Sequence, residues 1–105
     1  MTRCGEPQMP TVELHPAARR DFDESIDWYA ERSIAVAIDS ADAVDAALAS
    51  IASDPDRFAT VDGLHREARV RRFPFRIIFR NEPDLILVVA IAHASRRPGY
   101  WIGRS

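Results

Sequence analysis

The chain contains no lysine: all 14 of its Lys/Arg residues are arginine. A preference for GC-rich codons explains that as readily as a phosphate site does, so the position of the arginines carries more information than their number. Cysteine is nearly absent. Cys4 stands alone, which excludes an internal disulfide and suits a reducing cytoplasm. His15, His65 and His93 lie far apart with no second ligand at close spacing, which argues against a structural zinc site. Neither a metal nor another cofactor is expected. Long apolar runs are also missing. The longest, Leu85 to Ala92, is eight residues, against the roughly 20 needed to cross a bilayer as a helix, so no membrane association is expected. Met1 to Pro10 lacks the apolar stretch of a signal peptide. Residues 1–10 are expected to form a disordered extension, with Met9 a second candidate start, ahead of a single domain over 11–105.

What is present is unevenly spread. From Arg57 to Ser105 ten arginines face four acids, a net of +6; from Met1 to Asp56 four arginines face twelve acids, a net of −8. The near-neutral total of −2 therefore hides a dipolar protein. The apolar content of 47% supports a real core. A basic region beside a His, a Tyr and a Trp is suited to phosphate, nucleobase or carboxylate contact. General nucleic-acid binding is disfavoured by the overall acidity and the short basic stretch, because affinity scales with the phosphates neutralised.

Thr11 to His15 alternates apolar and polar, as in a short strand with one buried face. Pro16 suits the first turn of a helix. From Ala17 to Glu31 the apolar positions Ala18, Phe22, Ile26 and Tyr29 recur at helical spacing, with Arg19, Arg20, Asp23, Glu24, Asp27 and Glu31 towards water and Trp28 at the edge of the stripe. Ser33 is a candidate N-cap for a second helix. Its stripe runs Ile34, Ala37, Ala41, Val44, Leu48 and Ile51, with Asp39, Asp42 and Asp45 on the solvent side. So short a link makes the two helices an antiparallel hairpin, and Asp54-Pro55 ends the second.

The rest reads as β structure. Arg66 to Phe73 alternates weakly. Phe75, Ile77 and Phe79 share one face of the next strand, and Arg76, Ile78 and Arg80 the other. After the turn Asn81 to Asp84, the run Leu85 to Ala92 is apolar throughout, as in a central strand covered on both faces. The fold class is α+β in the order β-α-α-β-β-β, with the helical hairpin packed on one face of a small antiparallel-rich sheet. Phe75, Ile77 and Phe79 are expected to meet the helices, leaving Arg76 and Arg80 on the open face.

Four stretches carry a resemblance: Val12-Glu13-Leu14-His15-Pro16-Ala17-Ala18; Asp27-Trp28-Tyr29; Arg72-Phe73-Pro74-Phe75-Arg76-Ile77-Ile78-Phe79; and Ala92-His93-Ala94-Ser95-Arg96-Arg97-Pro98-Gly99-Tyr100-Trp101. In this order, over Thr11 to Arg104, the chain resembles the RelE/ParE superfamily of type II toxin–antitoxin toxins, often labelled plasmid-stabilisation proteins. The resemblance implies a small cytoplasmic bacterial toxin that inhibits growth and is held in a hetero-oligomer by a cognate antitoxin. RelE-like members cleave mRNA in the ribosomal A site; ParE-like members inhibit DNA gyrase without enzymatic chemistry. Arg76 falls where RelE-like members keep an arginine on the scissile phosphate. Arg96 or Arg97, with Tyr100, falls near their C-terminal basic and aromatic residues. The lysines of many RelE-like nucleases are absent, and Pro98-Gly99-Tyr100-Trp101 is commoner in ParE-labelled sequences.

Metal-independent RNA cleavage needs a base, an acid and charge stabilisation at the phosphate. Arg76 is the candidate clamp, since a guanidinium offers two parallel donors. His93 is the candidate acid or base, with Arg96, Arg97 and Tyr100 beside it. Arg69, Arg71, Arg80, Trp101 and Arg104 are candidates for contact with the target or the antitoxin, whose disordered tail is expected to fold along this surface with acids facing Arg69, Arg71, Arg76 or Arg80. Each residue also has a purely structural role open to it: His93 satisfying a carbonyl, Tyr100 and Trp101 plugging the core, and the arginines solvating a sheet face. The leading expectation is a toxin acting by ribosome-dependent mRNA cleavage; the alternatives are a gyrase-inhibiting toxin and a non-toxic degenerate binding module.

Overall fold

A computed structural model describes residues 11–94, 97 and 99–104. The expected extension over 1–10 and the candidate Arg96 lie outside the described residues. Strand β1 (Thr11–Leu14) leads into helix α1 (Pro16–Arg32), then α2 (Ile34–Ser53), a single 3₁₀ turn (Pro55–Arg57), and strands β2 (Arg66–Arg69), β3 (Phe75–Asn81) and β4 (Leu85–His93). The four strands form one sheet in the order β1-β4-β3-β2. β1 runs parallel to β4, while β2–β3 and β3–β4 are antiparallel. The expected α+β architecture is therefore the observed one. The fully apolar strand is the central one.

The local signals act as their chemistry requires. Pro16 opens α1 with no N–H to lose, and the His15 Nδ1 accepts a bond from the Ala17 N–H at 3.0 Å. Ser33 serves two helices at once. Its N–H donates to the Tyr29 carbonyl at 2.7 Å, closing α1, and its Oγ accepts from the Val36 N–H at 3.3 Å, opening α2. One residue thus makes the hairpin turn. The 3₁₀ turn is tied back by Arg66, whose guanidinium donates to the carbonyls of Asp56 and Phe58, and by a bond from the Asn81 amide to Asp56.

The main core lies between the helices and one face of the sheet. Ala18, Val44 and Ile51 of the helices meet Phe75, Ile77, Phe79, Ile86, Val88 and Ile91 of the strands, all essentially buried. The two-residue period of β3 sends Arg76 to the other face, as expected. A smaller apolar cluster there, Ile78, Val89 and Ala90, is covered by Tyr100, Trp101 and Leu87. Val89 and Ala90 can share that face because β4 carries a bulge: Ile78 opposes Ala90 and Phe79 opposes Val88, so Val89 has no β3 partner.

Two expectations are corrected. Ile34 is not a core residue: it is 64% exposed, because the first turn of α2 overhangs the core, which the stripe joins only at Ala37. The first β segment is also shorter than the alternation to Phe73 suggests. β2 stops at Arg69, and the chain turns through Arg72 with φ of 69°, a left-handed conformation uncommon for a residue with a Cβ.

Candidate functional site

The open sheet face carries the arginines. Arg69 and Arg76 are direct partners across the β2–β3 ladder. Glu67, on the same face, lies 3.8 Å from the Arg69 Nε and 3.7 Å from the Arg76 Nε. One carboxylate thus approaches both guanidiniums from their Nε side. Arg76 keeps 53% of its side chain exposed, and Arg71 and Arg72 are exposed in the adjoining hairpin turn. Arg80 differs. Its side chain is only 15% exposed and its Nε donates to the Glu82 carboxylate at 2.6 Å, so it is committed within the β3–β4 turn.

The C-terminal segment crosses this face. It turns at Gly99 and Gly103, both at positive φ of 77° and 96°, and lays Tyr100 and Trp101 on Ile78, Val89 and Ala90. Its anchor is Asp21 of α1, a carboxylate only 5% exposed. The Tyr100 hydroxyl donates to Asp21 Oδ2 at 2.8 Å, Arg104 Nη1 donates to the same oxygen at 2.8 Å, and the Ile91 N–H donates to it at 3.3 Å. Arg104 Nη1 also donates to the Val89 carbonyl at 2.8 Å. The topology explains the arrangement. β1 ends at Leu14, opposite Val88, and two backbone groups of β4 beyond that point are taken by side chains from α1 and the C-terminus. Burial opposes the charge on Arg104, but Asp21 outweighs it and raises the guanidinium pKa above its ordinary value.

Trp101 reaches the other way, its ring 4.8 Å from that of His65. His65 is held by Asp62, whose Oδ2 lies 2.9 Å from its Nδ1 and whose Oδ1 accepts the backbone N–H groups of His65 and Leu64. The buried His65 Nε2 has no hydrogen-bond partner among the described residues. These bonds, the His65 backbone N–H first, pull the Asp62 pKa from 3.8 to about 2. The folded value lies below the unfolded one. The stability that Asp62 contributes is therefore complete above about pH 4 and lost as pH falls through about 2. Acid titration of unfolding should show a shallower loss between these limits in Asp62→Asn than in the wild type; parallel curves would refute the assignment.

His93 lies elsewhere. It ends β4 opposite Phe75 and faces the helices, with ring centroids of Phe75, Trp28 and Tyr29 at 5.6, 6.2 and 6.3 Å. Trp28 itself stays 48% exposed, with the Arg32 guanidinium over its ring. Because Arg76 pairs with Ala92 and His93 with Phe75, the two central catalytic candidates project from opposite faces. Arg97 is exposed in the C-terminal segment. Among the described residues, no base, acid and phosphate clamp come together in one place.

Sequence reasoning passed over Asp21, Glu67 and His65. The signal for Asp21 was available: it lies one turn after the buried Ala18, on the core side of α1, where a carboxylate requires partners. Glu67 and His65 gave no comparable signal.

A second feature is a groove of about 730 Å³ between α2 and the β2–β3 hairpin. Its lining includes Asp39 and Asp42 of α2, Arg57 of the 3₁₀ turn, Arg69 of β2, Arg71 and Arg72 of the hairpin turn, and the apolar Ala43, Ala46, Ala47, Phe58 and Ala68.

Comparison with known proteins agrees with this geometry. Residues 12–98 match the family model described as the ParE toxin of the type II toxin–antitoxin system parDE. Among solved structures, one titled as the chromosomal ParDE TA system from P. aeruginosa superposes with a TM-score of 0.70 at 20% identity, covering 83% of this chain and 98% of that one. At that identity the likeness speaks for the fold. No curated protein gives a significant match.

Proposed function

Because the chain belongs to the ParE toxin family of type II toxin–antitoxin systems, we propose that it arrests growth by binding rather than by cutting RNA, with DNA gyrase as its target and a cognate antitoxin as its inhibitor. The observation that carries this reading is the divergence of Arg76 and His93. A nuclease needs a clamp and a proton-transfer group within hydrogen-bond reach of one phosphate. Here the sheet stands between them, since their cross-strand partners are the adjacent residues Ala92 and Phe75. The hydroxyl of Tyr100, a third catalytic candidate, is spent on Asp21. A binding inhibitor has no such requirement. It needs an exposed, rigidly held surface, and the open face offers guanidiniums beside partly buried aromatics.

The alternative, ribosome-dependent mRNA cleavage, makes an opposite forecast for the first process to fail. After induced expression without antitoxin, thymidine incorporation should fall before amino-acid incorporation, with an SOS response. Protein synthesis failing first would overturn the gyrase reading. Normal growth despite accumulated folded protein would identify a non-toxic binding module.

A further inference from the structure

Two arginines stand directly opposite each other across β2 and β3, and one glutamate serves both. We propose that Arg69 and Arg76 form a paired-guanidinium site for a single carboxylate of the protein target, and that Glu67 is the positioning residue that sets the pair for it. The choice of occupant rests on the reading of this chain as a toxin that acts by holding a protein; the site itself does not.

Like charges directly opposite in a ladder stand about 5 Å apart at Cβ and oppose strand pairing. Arg69 and Arg76 are such a pair, with 77% and 53% of their side chains open to solvent. At that exposure their opposition is not imposed by packing. Glu67 relieves it only in part. Its backbone is fixed twice, as the ladder partner of Ile78 and by an N–H that donates to the Ala59 carbonyl at 3.1 Å. The same carboxylate oxygen, Oε2, approaches the Nε atoms of both arginines. One negative charge against two positive leaves a net of +1. Because both guanidiniums meet that charge at Nε, each keeps its two Nη groups as an end-on fork for an incoming oxyanion. A shared anchor at Nε also narrows the rotamers of two long side chains before a ligand arrives, which lowers the ordering cost of binding.

Two features favour a protein carboxylate over a nucleic-acid phosphate. Affinity for nucleic acid grows with the number of phosphates neutralised, and so small a net charge neutralises few, while Glu67 repels the next phosphate along. Beside the pair, Ile78 lies opposite Glu67 and is covered by Tyr100 and Trp101. Arginine next to Trp and Tyr is the composition of a protein–protein hot spot. The occupant is then an Asp or Glu of the target whose apolar neighbour packs on that aromatic ledge.

The sign of the Glu67→Gln effect tests the role. Losing a negative charge tightens anion binding if Glu67 is only a counter-charge, and weakens it if Glu67 holds the forks in place. On the free toxin, acetate replaces chloride at constant ionic strength while the Nε–H signals of Arg69 and Arg76 are followed by NMR. Both should titrate with one shared Kd, raised about 10-fold in Glu67→Gln, the scale of coupling between neighbouring charged groups. Arg69→Lys/Arg76→Lys, which keeps the charge and removes the forks, should lose acetate binding, with urea unfolding unchanged in each variant. Separate isotherms for the two arginines, no saturation, or tighter acetate binding in Glu67→Gln would overturn the site. Surface plasmon resonance on purified gyrase identifies the occupant. Arg69→Ala/Arg76→Ala should weaken that complex by about 30-fold or more, as truncation of a hydrogen-bonded charge pair does, and Glu67→Gln should have no further effect in that background. Gyrase affinity that survives the double variant, with DNA binding, antitoxin binding or self-association lost instead, would overturn the choice of occupant. Wild-type toxin that takes acetate through both arginines yet ignores gyrase would remove gyrase as the target and leave the paired-guanidinium site standing.

Discussion

Arg104→Ala is expected to destabilise the protein by about 3–5 kcal/mol, the usual effect of removing one member of a buried ion pair. That is a large share of the roughly 5–15 kcal/mol that holds a domain folded. The reason lies in what remains behind. Asp21 is 5% exposed, and without Arg104 its buried charge loses a donating guanidinium, while the Tyr100 hydroxyl and the Ile91 N–H remain on it. The Val89 carbonyl loses the Arg104 donor as well. With a urea m-value of about 1–3 kcal/mol/M, the unfolding midpoint should fall by roughly 1 M or more. The near-UV signal of Trp101 should weaken as the C-terminal segment loosens. Tyr100→Phe removes one hydrogen bond from the same carboxylate and should cost only about 1 kcal/mol. A loss below about 1 kcal/mol for Arg104→Ala would mean that the pair behaves as a solvated surface pair.

That ion pair also marks where the sequence stops being legible. Strand β3 could be read because its alternation is strict: Phe75, Ile77 and Phe79 inward, Arg76 outward. The hairpin could be read because Ser33 and Pro16 act on their immediate neighbours. Asp21 and Arg104 are 83 residues apart, and nothing local to either names the other. The same holds for register. Arg76, His93 and Tyr100 look like one catalytic group when read as a basic and aromatic tail, but which face each takes depends on Phe75 pairing with His93. A shift of one residue would reverse it. The bulge at Val89 is hidden for a related reason: a run of eight apolar residues has no alternation in which an extra residue could show. Ile34 misled in the opposite sense, since helical period identifies a stripe but not where the opposing layer ends.

Phe79→Ala should be the second severe change, costing about 3–5 kcal/mol. Phe79 is fully buried on the helix face of β3, and its ring meets Phe58 edge-to-face at 5.7 Å and 87°. Truncation leaves a cavity beneath the chain that follows α2, and the site is poorly placed to collapse. Arg66 and Asn81 pin the neighbouring 3₁₀ turn to the sheet, so Phe58 cannot simply move in. Cavity volume left unfilled adds about 24 cal/mol per Å³ to the lost transfer energy. Three residues earlier, Arg76→Ala removes an exposed side chain whose pairing with Glu67 spans 3.7 Å, and should cost less than about 1 kcal/mol. The contrast between the two variants tests the face assignment directly. Urea unfolding in which Arg76→Ala costs as much as Phe79→Ala would place that guanidinium inside the core, and the open face would lose the surface from which the toxin is proposed to act. The expected result, a several-fold difference within one strand, leaves Arg76 free for mutation and for activity assays on a folded protein.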